Sequence, residues 1–172
     1  MLIPVVDEQD TIITHKEREA ILSGDIYRVS GLWVVDGKGR ALFARRALSK
    51  KKGAGKWGPS VAGTVEEGET YESNIIKEAQ EELGIIDIHP HPWIKQRSLR
   101  PTDNYFSQWF RVVLDISVAE LRLDPLEVAE VKWMTIDEFR NAVQKSPEEF
   151  LEGTRGLIDR EPEYLEGIFS FI

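Results

Sequence analysis

The chain of 172 residues contains no cysteine. That absence excludes disulfide frameworks, thiolate zinc sites and a cysteine nucleophile. Long hydrophobic runs are missing too, and no stretch approaches the ~20 apolar residues of a membrane span. Positive charge is outnumbered: 22 Lys and Arg stand against 30 Asp and Glu, a net charge of −8. This balance argues against a general nucleic-acid coat, whose affinity comes from basic side chains meeting phosphate. It leaves room for a phosphate-bearing small molecule, because a few local cations or a bound metal outweigh a global charge. No internal repeat, low-complexity tract or linker interrupts residues 1–172, which read as one domain. The opening Met1-Leu2-Ile3-Pro4-Val5-Val6-Asp7 lacks the basic start of a secretion signal, so the expected address is cytoplasmic.

What is present is a globular balance of 41% hydrophobic and 30% charged residues. A chain of this length can bury roughly 70% of its unfolded surface without staples. Short strands are expected at Leu2 to Val6 and Thr11 to Thr14. A short helix follows from Thr14 to Leu22, with Glu17 three residues after a capping Thr14. Arg28 to Val35 and Ala41 to Arg46 flank the turn Asp36-Gly37-Lys38-Gly39 as a hairpin. Trp57 to Val65 reads as strand broken by Gly58-Pro59. Thr70 to Leu83 is the strongest helix, stopped by Gly84. Further strands are expected at Ile85 to His89, Trp93 to Leu99, Tyr105 to Ile116 and Val128 to Met134. Thr135-Ile136-Asp137-Glu138 opens a helix to about Gln144, and Ser146-Pro147 starts another helical piece. The last stretch, from Thr154, is helical near its end. Strands before, beside and after the main helix place the chain in the α+β class with a mixed sheet.

The chemistry is concentrated in residues 63–85. At about 100° per residue, Glu78, Glu81 and Glu82 share one edge of the Thr70 to Leu83 helix. Ile75, Ile76, Ala79 and Leu83 form the core face beside it. Three like charges at helix-neighbour spacing repel one another. A hard divalent cation relieves that repulsion, and all-oxygen ligands suit Mg²⁺ or Mn²⁺. The loop Gly63 to Glu69 carries two glycines and three glutamates beside this edge.

The full spacing resembles the Nudix box: Gly, five residues, Glu, seven residues, Arg, Glu, an apolar residue, any residue, Glu, Glu, any residue, Gly, apolar. Gly63, Glu69, Glu78, Glu81, Glu82 and Gly84 match, with Ala79 and Ile85 at apolar positions. The resemblance implies an α/β/α sandwich and metal-dependent cleavage of a diphosphate linkage, with Glu78, Glu81 and Glu82 as catalytic and metal-binding groups. Ala62 is placed with the metal-site positions. The implied substrate is a small-molecule nucleoside diphosphate linked to another moiety, with no nucleic acid or membrane as partner. One position departs: the family arginine is Lys77 here. Lysine keeps the charge and loses the bidentate fork. On the helix wheel it is expected to pair with Glu81, or to reach Glu69, and to hold the carboxylates in place. The rival reading is a domain that senses a nucleotide without cleaving it.

The run Arg45-Arg46, Lys50 to Lys52, Lys56-Trp57, Ser60 and Gly63 resembles the isopentenyl-diphosphate-isomerase-like branch of the same family. Aligned on Trp57 and Gly63, the isomerase cysteine and metal-binding histidine fall on Ala62 and Thr64. Neither supplies that chemistry, so the resemblance implies a hydrolase on that scaffold. Arg45 and Arg46 are expected to grip the diphosphate, and strand alternation lets only one of them face the site. Glu127 and Glu130 are candidates for a further acid. Trp57, Trp93, Tyr105, Phe106 and Trp109 are expected in the core or in hairpins, and His15, His89 and His91 at the surface.

Overall fold

The computed structural model describes residues 1–100, 103–160 and 162–170. Strands β1 (Leu2–Val6) and β2 (Ile12–Glu17) form a separate antiparallel pair. A seven-stranded sheet contains β3 (Tyr27–Val35), β4 (Arg40–Arg46), β5 (Trp57–Gly58), β6 (Val61–Thr64), β7 (His91–Arg100), β8 (Asp103–Val113) and β9 (Val128–Thr135). Helix α1 (Tyr71–Leu83) follows β6, and α2 (Ile136–Lys145) follows β9. Three short helices, α3 (Glu152–Arg155), α4 (Leu157–Arg160) and α5 (Pro162–Phe169), end the chain.

Period-two alternation in β3 and β4 builds two cores, because both strands are apolar on both faces. Leu32, Val34, Leu42 and Ala44 pack with Ile75, Ala79 and Leu83 of α1. Trp33, Val35, Ala41 and Phe43 point the other way, onto Phe139 of α2 and Leu165, Ile168 and Phe169 of α5. Helices therefore cover both faces of the sheet. The β3–β8 pair is parallel and the other pairs are antiparallel. This is the expected α/β/α sandwich with a mixed sheet.

The β3–β4 hairpin closes only at its turn. The Asp36 carboxylate accepts the N–H groups of Lys38 and Arg40 at 3.0 and 2.8 Å, and Gly39 takes φ 72°. Val35 pairs with Ala41, and then the strands part. β3 goes on to pair with β6 over Val29 to Leu32, while β4 pairs with β5 and β9. Ser60 bridges the split: its hydroxyl accepts the Val34 N–H at 2.9 Å and donates to the Leu42 carbonyl at 2.6 Å.

Two expected elements are corrected. Thr14 to Leu22 is no helix. β2 runs to Glu17 because β1 supplies its ladder, and only Arg18–Ala20 form a 3₁₀ turn. Ile85 to His89 is no strand either. It finds no pairing partner, turns through Asp87 at φ 55°, and buries Ile85 and Ile88 as loop residues under the α1 core.

Candidate functional site

Helix α1 is fixed at both ends by local chemistry. Thr70 Oγ1 accepts the Ser73 N–H at 3.0 Å, and Ser73 Oγ accepts the Thr70 N–H at 2.9 Å. This reciprocal cap satisfies two otherwise orphaned donors. Gly84 ends the helix at φ 69°, its N–H donating to the Gln80 carbonyl at 3.0 Å. The chain after α1 returns here, because Arg122 and Asp124 N–H groups donate to the Leu83 and Glu82 carbonyls, each at 3.0 Å. That contact brings Glu127 beside Glu82.

With Ile75, Ala79 and Leu83 buried, the acidic edge of α1 is turned toward the β6 side of the sheet. Glu78 and Glu82 are half-buried and Glu81 is exposed. Gly63 lies against Glu78, and a Cβ there would sit 2.5–2.6 Å from Glu78 Cγ, Cδ and Oε1. Buried Asn74 organises the group. Its amide donates to Glu69 Oε2 at 2.8 Å, to the Thr64 carbonyl at 3.2 Å and to Glu78 Oε1 at 3.3 Å. Its carbonyl oxygen accepts from the hydroxyl of buried Ser30 on β3.

Lys77 does not pair with Glu81. Its ammonium bridges Glu66 Oε1 at 2.8 Å and Glu69 Oε1 at 2.7 Å. Glu69 also accepts the Glu66 N–H at 2.9 Å. Lysine thus clamps the loop before α1 onto the helix, and Glu81 is exposed.

The carboxylates are graded by environment. Burial, then Glu78 and Glu127, push Glu82 up to about 8 against the pull of Arg46 and Lys50. Burial also raises Glu78; Lys77 opposes this, and Glu81 adds to it. Burial alone would raise Glu69 as well, but Lys77, the Glu66 N–H and Asn74 together hold it below the usual range. Among the described residues, no three Asp, Glu or His side chains converge as a ready-made metal cage. The donor chemistry still fits a hard cation, since the crowded, desolvated Glu78 and Glu82 offer only oxygen and their charge is incompletely compensated.

A cavity of about 570 Å³ opens beside this edge and passes through the split between β3 and β4. Glu82, Glu127, Arg46 and Ala62 line it, with Gly58 to Val61 inside the split. Away from Glu82 the lining combines Trp33, Tyr105, Trp109, Leu157 and Tyr164 with the polar Gln96, Arg97, Ser98 and Ser107. Trp109 lies flat over Gly31, where a Cβ would stand 2.5 Å from its ring. The sequence carries no signal for Asn74 or for the wall formed by Leu151, Thr154, Leu157 and Tyr164, and it shows Ser60 only as one residue of the isomerase-like run. Those residues matter through contacts distant in sequence.

The remaining expected residues are distributed around the cavity. Arg45 turns away from it: its Nε donates to the Gly55 carbonyl at 2.9 Å, and it pairs with Glu130 at 3.6 Å. Arg46 Nε donates to the Lys52 carbonyl at 3.0 Å while the side chain lines the cavity. Glu127 is held by the Lys50 ammonium. Glu78, Glu81, Lys77, Glu69, Gly63 and Gly84 stand outside the lining, Gly63 and Glu69 as supports of the edge. Trp57 is buried against Arg45, and His15, His89 and His91 are exposed.

Residues 26–153 match the NUDIX domain family. An uncharacterized Nudix hydrolase of Yersinia pestis is 30% identical over 137 residues, covering 79% of this chain and 74% of that one. An isopentenyl-diphosphate Delta-isomerase of Klebsiella pneumoniae is 28% identical over 148 residues, covering 83% and 80%. Among solved structures, a Deinococcus radiodurans protein superimposes with a TM-score of 0.77 at 22% identity, over 93% of this chain and 98% of that one. A MutT protein of Methanosarcina mazei Go1 gives 0.59 at 18% identity, over 84% and 90%. These two likenesses are of fold. The family match spans most of the chain and contains the whole acidic edge, so the chain belongs to the Nudix family.

Proposed function

We propose that this Nudix hydrolase cleaves the diphosphate linkage of a nucleoside diphosphate joined to another moiety, with Mg²⁺ or Mn²⁺ as cofactor. The observation that carries the reading is the cavity, whose lining includes Glu82 together with a group of aromatic and polar side chains. Glu78 and Glu82 would hold the ion, with Glu81 at the exposed end of the edge and Ala62 beside it on β6. A bound divalent ion would neutralise diphosphate oxygens and lower the pKa of a coordinated water.

The chain's own residues supply the rest. Arg46 and Lys50 bring positive charge to the mouth, where the diphosphate sits. Tyr105 and Trp109 offer faces on which a nucleobase stacks. A carboxylate of the Glu78/Glu82 pair takes the proton of the attacking water. Glu127, although paired with Lys50, lines the cavity close enough to Glu82 to share that role, whereas Glu130 lies outside the lining and pairs with Arg45. Isomerase chemistry is disfavoured because Ala62 and Thr64 stand where the isomerases use cysteine and histidine.

The test is a screen of sugar nucleotides, dinucleotides, nucleoside triphosphates and ADP-ribose with Mg²⁺ and Mn²⁺, scored by nucleotide or phosphate release. Cleavage of at least one, abolished by chelation and by Glu82→Gln, is expected. A wild-type protein that cleaves none, or that converts isopentenyl to dimethylallyl diphosphate, overturns the reading.

A further inference from the structure

Two large apolar side chains project from the surface beside the cavity mouth: Leu48 is 81% exposed and Leu126 is 68% exposed. They occupy neighbouring loops that are tied together. The Ala47 N–H donates to the Glu127 carbonyl at 2.9 Å, and Ser49 Oγ donates to the Leu126 carbonyl at 3.2 Å. Both leucines adjoin cavity residues, since Leu48 follows Arg46 by two positions and Leu126 precedes Glu127.

The loop carrying Leu48 is braced. The Arg46 N–H donates to the Lys56 carbonyl and the Gly55 N–H to the Arg46 carbonyl, each at 3.0 Å. Leu151 fills the notch left by Gly53, where a Cβ would meet it at 2.4 Å. Exposure of Leu48 is therefore part of the formed loop. The same loop concentrates Arg45, Arg46, Lys50, Lys51, Lys52 and Lys56 in a chain of net charge −8. Lys51 and Lys52 are exposed, whereas Lys50 and Arg45 are themselves paired with Glu127 and Glu130. Screening acts over about 8–10 Å at physiological salt, so a facing surface senses this patch before it senses the total charge.

Contrary to the expectation that no membrane is a partner, we propose that this leucine-tipped basic rim docks the cavity mouth onto an anionic lipid bilayer. Loop-tip leucines enter the boundary between headgroups and acyl chains while lysines meet lipid phosphates. No helix among the described residues is long and apolar enough to span a membrane, so the contact is peripheral. That docking presents the active site to diphosphates at headgroup level rests on the proposed function; the docking itself rests on the surface alone.

The experiment is vesicle flotation of the full chain, without substrate, on phosphatidylcholine with and without phosphatidylglycerol. Binding is expected only with the anionic lipid and is lost at high salt. Leu48→Ser/Leu126→Ser should weaken it by about tenfold or more, and Lys51→Gln/Lys52→Gln by about tenfold. Leu22→Ser, at an equally exposed leucine on the N-terminal side, should leave it unchanged. Wild-type protein that does not float overturns the proposal. So does binding undiminished in the double leucine variant, or a leucine-dependent dimer by light scattering, which would assign the face to a second copy. Folding of each variant is checked by its melting temperature. A protein that floats as expected but cleaves no diphosphate keeps the docking and loses the proposed function.

Discussion

Lys77 shows how a single residue can serve the acidic edge of α1 without touching the cavity. A helix wheel registers only neighbours on the same helix, so it points to Glu81. The structure instead gives Lys77 to Glu66 and Glu69, and Glu66 reaches it from the preceding loop. Burial alone would lower the Lys77 pKa, but these two carboxylates hold the ammonium well above its usual value. The clamp fixes Glu69, which shares Asn74 with Glu78. Lys77→Ala is expected to cut turnover about tenfold, or 1.4 kcal/mol of transition-state stabilisation, with little change in melting temperature. Lys77→Arg should retain turnover. An alanine variant as active as wild type in steady-state kinetics would reduce Lys77 to a surface cation. Glu78, Glu81 and Glu82 were legible because their spacing is local. Asn74 was not, because its meaning lies in Ser30, Thr64 and Glu69 around it.

The same contrast holds between elements. Helix α1 carries its own start, stop and core stripe, so its boundaries could be read directly. The split between β3 and β4 could not. An alternating run, a glycine-rich turn and a second run promise a full hairpin, but β6 and β9 compete for those edges and win over most of their length. Ser60 makes the compromise stable by serving Val34 and Leu42 at once. Ser60→Ala leaves a buried N–H and a buried carbonyl without this partner, at about 1–3 kcal/mol each. The expected result is a lower urea midpoint and a raised KM, because the cavity wall loses its brace. A variant with unchanged urea midpoint would show that the split holds itself open. The failed strand at Ile85 to His89 has the same origin: β-propensity without an available edge gives a loop that buries only Ile85 and Ile88.

Across the whole molecule, the N-terminal pair of strands is held to the sandwich through Asp10. Its carboxylate meets Arg28 of β3 at 2.7 Å, Tyr71 of α1 at 3.0 Å and the Lys95 ammonium of β7. Burial alone would raise the Asp10 pKa, but Lys95, Arg28 and Tyr71 hold it below the usual carboxylate value. A depressed folded-state pKa contributes stability fully above the unfolded value of about 3.9, and loses it as pH falls through the folded value. The urea midpoint should therefore fall on acidification below about pH 4. Asp10→Asn tolerates the left-handed φ of 61°, and should lower the midpoint near neutrality and flatten the acid limb. A variant with the wild-type acid limb would show that the latch carries no stability.

The parallel pairing of β3 with β8, which runs from Tyr27 with Tyr105 to Val35 with Val113, has a consequence in time. Helix α1 lies entirely within the chain segment closed by that pairing. Phe110 and Val112 of β8 complete the core on which Ile75, Ala79 and Leu83 rest. During synthesis, the helix bearing the acidic edge therefore emerges well before the strand that completes its seat. Long-range pairings of this kind are slow to close, so the nascent chain exposes an apolar helix face until β8 arrives. The order of emergence makes this interval, rather than the finished fold, the period in which the protein is most open to aggregation.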